Sequence, residues 1–99
     1  MLEIEYLPRA LSKIAEISDQ TIADWGEAQA KRYIAGFRET IELAAEFPGM
    51  GARVYGLPAQ YRKVPSGVRF IIYRANDDVL TVVRIIHERE DVPEGLDDI

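Results

Sequence analysis

Arginine has the widest chemical reach in this chain, and six arginines fall in its second half: Arg53, Arg62, Arg69, Arg74, Arg84 and Arg89. A guanidinium can clamp a phosphate or a carboxylate through its forked donors. It can equally cover an apolar sheet with its stem and hold surface acids. Both uses are open for Arg62 and Arg84, whereas Arg89, between Glu88 and Glu90, fits the second. His87 is the one histidine and could serve as a general acid or base. A single histidine ending a strand is more often a hydrogen-bonded structural residue. Ser12, Ser18 and Ser66 have no histidine near them in sequence, and none sits in a nucleophile elbow. Gly49, Gly51 and Gly56 lack the spacing and the following helix of a phosphate-binding loop. With no cysteine and one histidine, disulfides, thiolate sites and histidine-rich metal sites are excluded. No metal site is expected.

These residues must be positioned by the stretch Gly67 to His87, GVRFIIYRANDDVLTVVRIIH. Two runs rich in Ile, Val, Phe and Tyr flank Asn76-Asp77-Asp78, which predicts a β-hairpin. Its loop is two residues or three. A two-residue loop puts Phe70, Ile72, Val83 and Ile85 on one face, read as core. Arg69, Ile71, Tyr73, Val82 and Arg84 then share the other, read as a working surface. Asn and Asp suit the positive φ of a tight turn.

Upstream, Leu2 to Leu7 alternates with period two and predicts a short strand. Pro8 then opens a helix whose apolar positions are Leu11, Ile14, Ala15, Ile22 and Trp25. Trp25, at its end, reads more naturally as core than as a binding hot spot. Gly26 breaks the pattern. A second helix runs from about Glu27 to Glu46, with Ala30, Tyr33, Ile34, Phe37, Ile41 and Ala44 in its stripe. Glu39, Glu42 and Glu46 read as its solvated side. Pro48-Gly49 stops it. With so short a connection the two helices should form an antiparallel hairpin. A short strand near Arg53 to Tyr55, a strand over Gln60 to Val64 and a turn at Pro65-Ser66-Gly67 complete the approach to the central hairpin. The predicted fold is α+β: an N-terminal strand, an antiparallel helical hairpin, then a C-terminal antiparallel sheet, β-α-α-β-β-β, with the helices on one face.

Ninety-nine residues suffice for one domain, 1–99. The composition is that of an ordinary globular protein, at 47% hydrophobic and 29% charged residues, with no membrane-length apolar run and no signal-peptide core. A cytoplasmic location is expected. Net charge is −5, which argues against direct binding along a nucleic-acid backbone. Charge is unevenly placed. Arg53 to His87 carries six cations against two acids, whereas Glu88 to Ile99 carries one cation against six. A basic sheet thus sits next to an acidic ending. Pro93-Glu94-Gly95 breaks the chain, with Leu96 as a tether for that ending.

Motifs in order along the chain resemble the ParE toxins of the RelE/ParE superfamily. They are Trp25-Gly26 with Gln29-Ala30 and Tyr33; Phe47-Pro48 with Gly51 and Arg53; Tyr61-Arg62; Tyr73-Arg74; and Arg84-Ile85-Ile86-His87 with Asp91. The match runs from Leu2 to Leu96. It departs at Val68-Arg69-Phe70, where many relatives carry an aromatic or His, and in the strongly acidic ending.

The resemblance implies the toxin of a type II toxin-antitoxin system, of the kind that stabilises plasmids. A ParE toxin poisons DNA gyrase, is not nucleolytic, needs no cofactor and is neutralised in a hetero-oligomer by a ParD antitoxin. The alternative is a RelE-like ribosome-dependent mRNA endonuclease. That chemistry needs a base, an acid and cations around the scissile phosphate. The acidic ending would repel RNA and favours the ParE branch. A third possibility is an interaction module that has lost toxicity. The antitoxin is expected to place a helix near Trp25 and Tyr33 and an extended segment on the sheet at Arg62, Arg69, Tyr73 and Arg84. The gyrase-directed candidates are Arg53, Arg62, Arg84, His87 and Arg89.

Overall fold

The computed structural model describes residues 1–92. The expectations at Pro93-Glu94-Gly95 and Leu96 lie outside the described residues. Strand β1 (Glu3–Tyr6) leads into helix α1 (Pro8–Trp25), then α2 (Glu27–Glu46), β2 (Ala52–Arg53), β3 (Tyr61–Ser66), β4 (Arg69–Ala75) and β5 (Val79–His87). The five strands form one sheet in the order β1-β5-β4-β3-β2. Neighbouring strands β2 to β5 run antiparallel, and β1 joins parallel to β5, with Tyr6 beside Val82.

Pro8 occupies the first turn of α1, where its missing N–H costs nothing. The helix ends at Gly26, whose φ of 90° an L side chain rarely adopts, and α2 begins at the next residue. The two helices pack on each other and on one face of the sheet. Ala10, Ile17, Phe37, Ile41, Ala44 and Ala45 there meet Val64, Ile71, Tyr73, Leu80, Val82 and Ile85.

The stripe foreseen for α1 is partly out of phase. Ala10 and Ile17 form its buried line, while Leu11, Ile22 and Trp25 are exposed, Trp25 at 76%. Trp25 lies eight residues beyond Ile17, a rotation of about 80° at 100° per residue, so it has turned away from the sheet. It is not core.

The hairpin closes across Asp77-Asp78, with the Asn76 N–H donating to the Val79 carbonyl (3.0 Å). No residue other than glycine has a positive φ among those described. Asn76 fixes the turn with its side chain instead: Oδ1 accepts from the N–H groups of Asp78 and Val79, each at 2.8 Å.

Further along, the register slips. Tyr73 faces Val82, but Ile72 faces Arg84, leaving Val83 as the extra residue of a bulge. The bulge regroups the two faces. Ile71, Tyr73, Val82 and Ile85 lie under the helices, while Phe70, Ile72, Val83 and Ile86 form a second cluster with Tyr61, Leu7, Leu57 and Val92. The face read from sequence as a working surface is therefore the main core. Ile85 belongs to it, and Arg84 is paired with the opposite face.

Candidate functional site

The expected site residues fall into three places. The first is the β2–β3 edge. Arg53 is exposed and faces Arg62 across the strand pair, and Arg62 faces Tyr73 on the next strand. Arg62 Nη1 donates to the Gly51 carbonyl (2.7 Å). Tyr73 is 1% exposed. Its hydroxyl donates to the Pro48 carbonyl (2.7 Å) and accepts from the Gly51 N–H (3.1 Å). Burial raises the phenol's pKa, partly offset by the Gly51 N–H and by Arg62. A side chain on Gly51 would bring its Cβ to 2.8 Å from that hydroxyl, so the loop needs glycine there. Tyr73 is thus a rivet between β4 and the loop after α2, with no surface to offer a partner.

The second place is the tip where α1 meets α2. Trp25, Tyr33, Thr21, Gln29, Gly67 and Val68 line a groove of about 530 Å³. Tyr33 packs on Phe37, with ring centroids 5.0 Å apart. Gly67 has φ 60°, and a Cβ on it would come within 3.3 Å of the Tyr33 ring. Arg69 lies beside Ser66 and His87 in adjacent strands, and its Nε is buried without a partner. His87 Nδ1 accepts from the Arg89 N–H (3.1 Å), and the His87 N–H donates to the Glu90 carboxylate (2.9 Å). The histidine thereby organises the turn that follows β5. Arg89 itself is exposed.

The third place is the face away from the helices. Arg84, opposite Ile72, is 8% exposed. Its Nη1 is buried with no hydrogen-bond partner, and no ion pair among the described residues includes it. Desolvation, and next the charge of Arg9, hold its pKa below the ordinary arginine range. Two more cations share this face. Lys63 Nζ stands 4.7 Å from the Phe70 ring centroid. Arg74 Nη1 donates to the Tyr61 hydroxyl (3.0 Å), with its guanidinium over the same ring. Neither was among the expected site residues. The signal was available in the alternation of β3, which sends Tyr61, Lys63 and Pro65 to one side, but only the register shows that Arg84 joins them.

The structure thus separates residues that the sequence had grouped. Arg62 and Arg53 lie at one edge, Arg69 and His87 at the tip, and Arg84 on the reverse face. No group of three His, Asp or Glu side chains among the described residues is placed to hold a metal. No helix among them is long and apolar enough to cross a membrane.

Residues 4–92 match the profile of the ParE toxin of the type II toxin-antitoxin system, parDE. The chain belongs to the ParE toxin family. Toxin ParE1 of Mycobacterium tuberculosis is 33% identical over 90 residues, covering 90% of this chain and 92% of its own. Toxin ParE1 of Caulobacter vibrioides is 35% identical over 80 residues, covering 81% and 82%. Among solved structures, the chromosomal ParDE toxin-antitoxin system from P. aeruginosa superposes with a TM-score of 0.73 at 15% identity, over 88% of this chain and 96% of that one. The YoeB dimer from Staphylococcus aureus does so at 0.66 and 12% identity, over 87% and 95%. At such identities the likeness of the solved structures speaks for the fold. Membership of the ParE family rests on the sequence match and on the relatives a third identical.

Proposed function

We propose that this ParE-family chain poisons DNA gyrase and is neutralised by a ParD-like antitoxin in a cytoplasmic hetero-oligomer, acting by binding and not by catalysis. The observation that carries the reading is the match to the ParE toxin over residues 4–92, which spans both the helical hairpin and the sheet. The site geometry supports it. An RNA-cleaving centre needs a base, an acid and cations gathered at one phosphate. Here the His87 Nδ1 is engaged with a backbone N–H, the Tyr73 phenol is sealed between Pro48 and Gly51, and the arginines are dispersed.

The antitoxin places a helix on the groove between Trp25, Tyr33 and Val68, and an extended segment against Arg62, Arg69 and Arg84. Tyr73 drops out of that contact set because it is buried. Arg53, Arg62, Arg84, His87 and Arg89 remain the gyrase-directed residues, with exposed Arg53 and Arg89 the most accessible. The purified chain, added to gyrase, should block supercoiling and leave ribosome-bound mRNA intact. Ribosome-dependent cleavage with untouched gyrase would make it a RelE-like nuclease. Expression without effect on growth would make it an interaction module.

A further inference from the structure

The sheet face away from the helices holds one polar group that the fold leaves in deficit. Arg84 Nη1 has no partner, although its side chain is more than nine-tenths buried. A buried donor without an acceptor loses its hydration and gains nothing in return, and the loss is larger for a charged group. Two further features close to it are also positive. The Leu7 N–H donates to the Val82 carbonyl, two residues before Arg84, and the Leu7 side chain packs in the second cluster with Ile72 and Val83. Leu7 is also the residue before the first turn of α1, so that helix begins beside Arg84. The helix has no side-chain cap and no acid in its first turn to offset its positive end, although the Ala10 and Leu11 N–H groups donate to the Leu7 carbonyl. Arg9, in that same turn, adds a second guanidinium charge that Arg84 feels.

A guanidinium, a second cation and a helix start without an acid in its first turn thus lie near one another, and no ion pair among the described residues includes Arg84. We propose that Arg84, Arg9 and the start of α1 form a receptor for a carboxylate side chain supplied by an acidic protein segment. The identity of that segment as part of an antitoxin rests on the function proposed above. The geometry favours a peptide carboxylate because the cations stand among apolar neighbours. Ile72 lies opposite Arg84 and Val83 precedes it, and both belong to an apolar cluster with Leu7, Phe70 and Val92 on the same face, which suits a segment that alternates Asp or Glu with Leu. A planar carboxylate also matches the forked donors of Arg84. Arg84 is the anchor, and Arg9 steers from the exposed rim.

The test uses the full chain without partner, with Arg84 Nε followed by NMR and affinity by calorimetry. Three probes are titrated: an end-blocked peptide alternating Leu with Asp and Glu, the same peptide with Asn and Gln, and inorganic phosphate. The acidic peptide should shift the Arg84 Nε signal, the amide peptide should not, and phosphate should compete only weakly. In Arg84→Gln the affinity for the acidic peptide should fall about tenfold or more, the scale of a lost charged hydrogen bond. Arg84→Lys, which keeps the charge but loses the fork, should recover only part of it, and Arg9→Gln should cost a few-fold. Backbone amide spectra report whether each variant is folded. Equal affinity for both peptides, or an unchanged affinity in folded Arg84→Gln, overturns the receptor. Tight phosphate binding that the acidic peptide cannot displace makes the site an inorganic-anion site and also overturns it. None of these readouts involves gyrase or growth, so failure of the toxin reading would appear separately, as uninhibited supercoiling.

Discussion

Tyr73 and Arg84 lie on neighbouring strands, and both are almost hidden from water, at 1% and 8% exposure. Their polar surroundings are opposite. The Tyr73 hydroxyl both donates and accepts, to the Pro48 carbonyl and from the Gly51 N–H, and its ring fills the core under the helices. Arg84 has a buried Nη1 with no acceptor and a second arginine for its neighbour. A buried polar group that is fully satisfied specifies the fold, whereas one left unsatisfied is a cost that needs a reason. For Tyr73 the reason is complete within the chain. For Arg84 the proposed partner carboxylate would complete it.

That contrast should be visible in stability first. Tyr73→Ala removes both the ring and the rivet, and should cost about 3–5 kcal/mol in urea unfolding, enough to leave much of the chain unfolded. Tyr73→Phe keeps the ring but strands the Gly51 N–H and the Pro48 carbonyl, so about 1–3 kcal/mol should be lost. If Tyr73→Phe were neutral, the two hydrogen bonds would not be what pins the loop.

The phenol also predicts a pH effect. Its pKa is raised in the folded protein, so the stability it supplies is complete below the ordinary tyrosine pKa of about 10 and disappears as pH rises through the folded value. The wild type should therefore lose stability above about pH 10 more steeply than Tyr73→Phe. Parallel alkaline melting curves for the two proteins would remove Tyr73 as the cause.

At the small end of the scale is Arg53→Ala. Arg53 is exposed and faces Arg62 across the edge pair, so removing it relieves a like-charge contact and should change stability by no more than about 0.5 kcal/mol. A loss of several times that in a thermal melt would mean that Arg53 is part of the packing and not a surface candidate.

Local signals made much of this fold legible. Pro8, Gly26 and Pro48 mark helix boundaries through backbone chemistry that each carries alone, and α2 runs over Glu27–Glu46 as its pattern implies. The apolar runs around Asn76-Asp77-Asp78 announce the hairpin in the same way. What the sequence did not disclose depends on contacts between distant segments. The extra residue at Val83 reverses which face Ile85 and Arg84 join, and alternation cannot place a bulge. Trp25 fits an apolar stripe by type, but the line that meets the sheet runs through Ala10 and Ile17, and Trp25 has turned away from it. Tyr73 looked like a contact residue because its partners, Pro48 and Gly51, are more than twenty residues away. The burial of Arg84 is set by distant segments in the same way, so a surface arginine and an orphaned one read alike in sequence.

On the proposal above, Arg84 is a cost to the isolated chain and a gain in its complex. The most direct measurement replaces Arg84 by Leu and follows two numbers: urea unfolding of the chain alone and its affinity for the proposed antitoxin by calorimetry. Removing an unsatisfied buried cation should leave the isolated stability unchanged or raise it, by up to about 1–3 kcal/mol. The same substitution should weaken the complex by about tenfold or more. A lowered stability with unchanged affinity would mean that Arg84 merely shields the sheet, and would contradict the account.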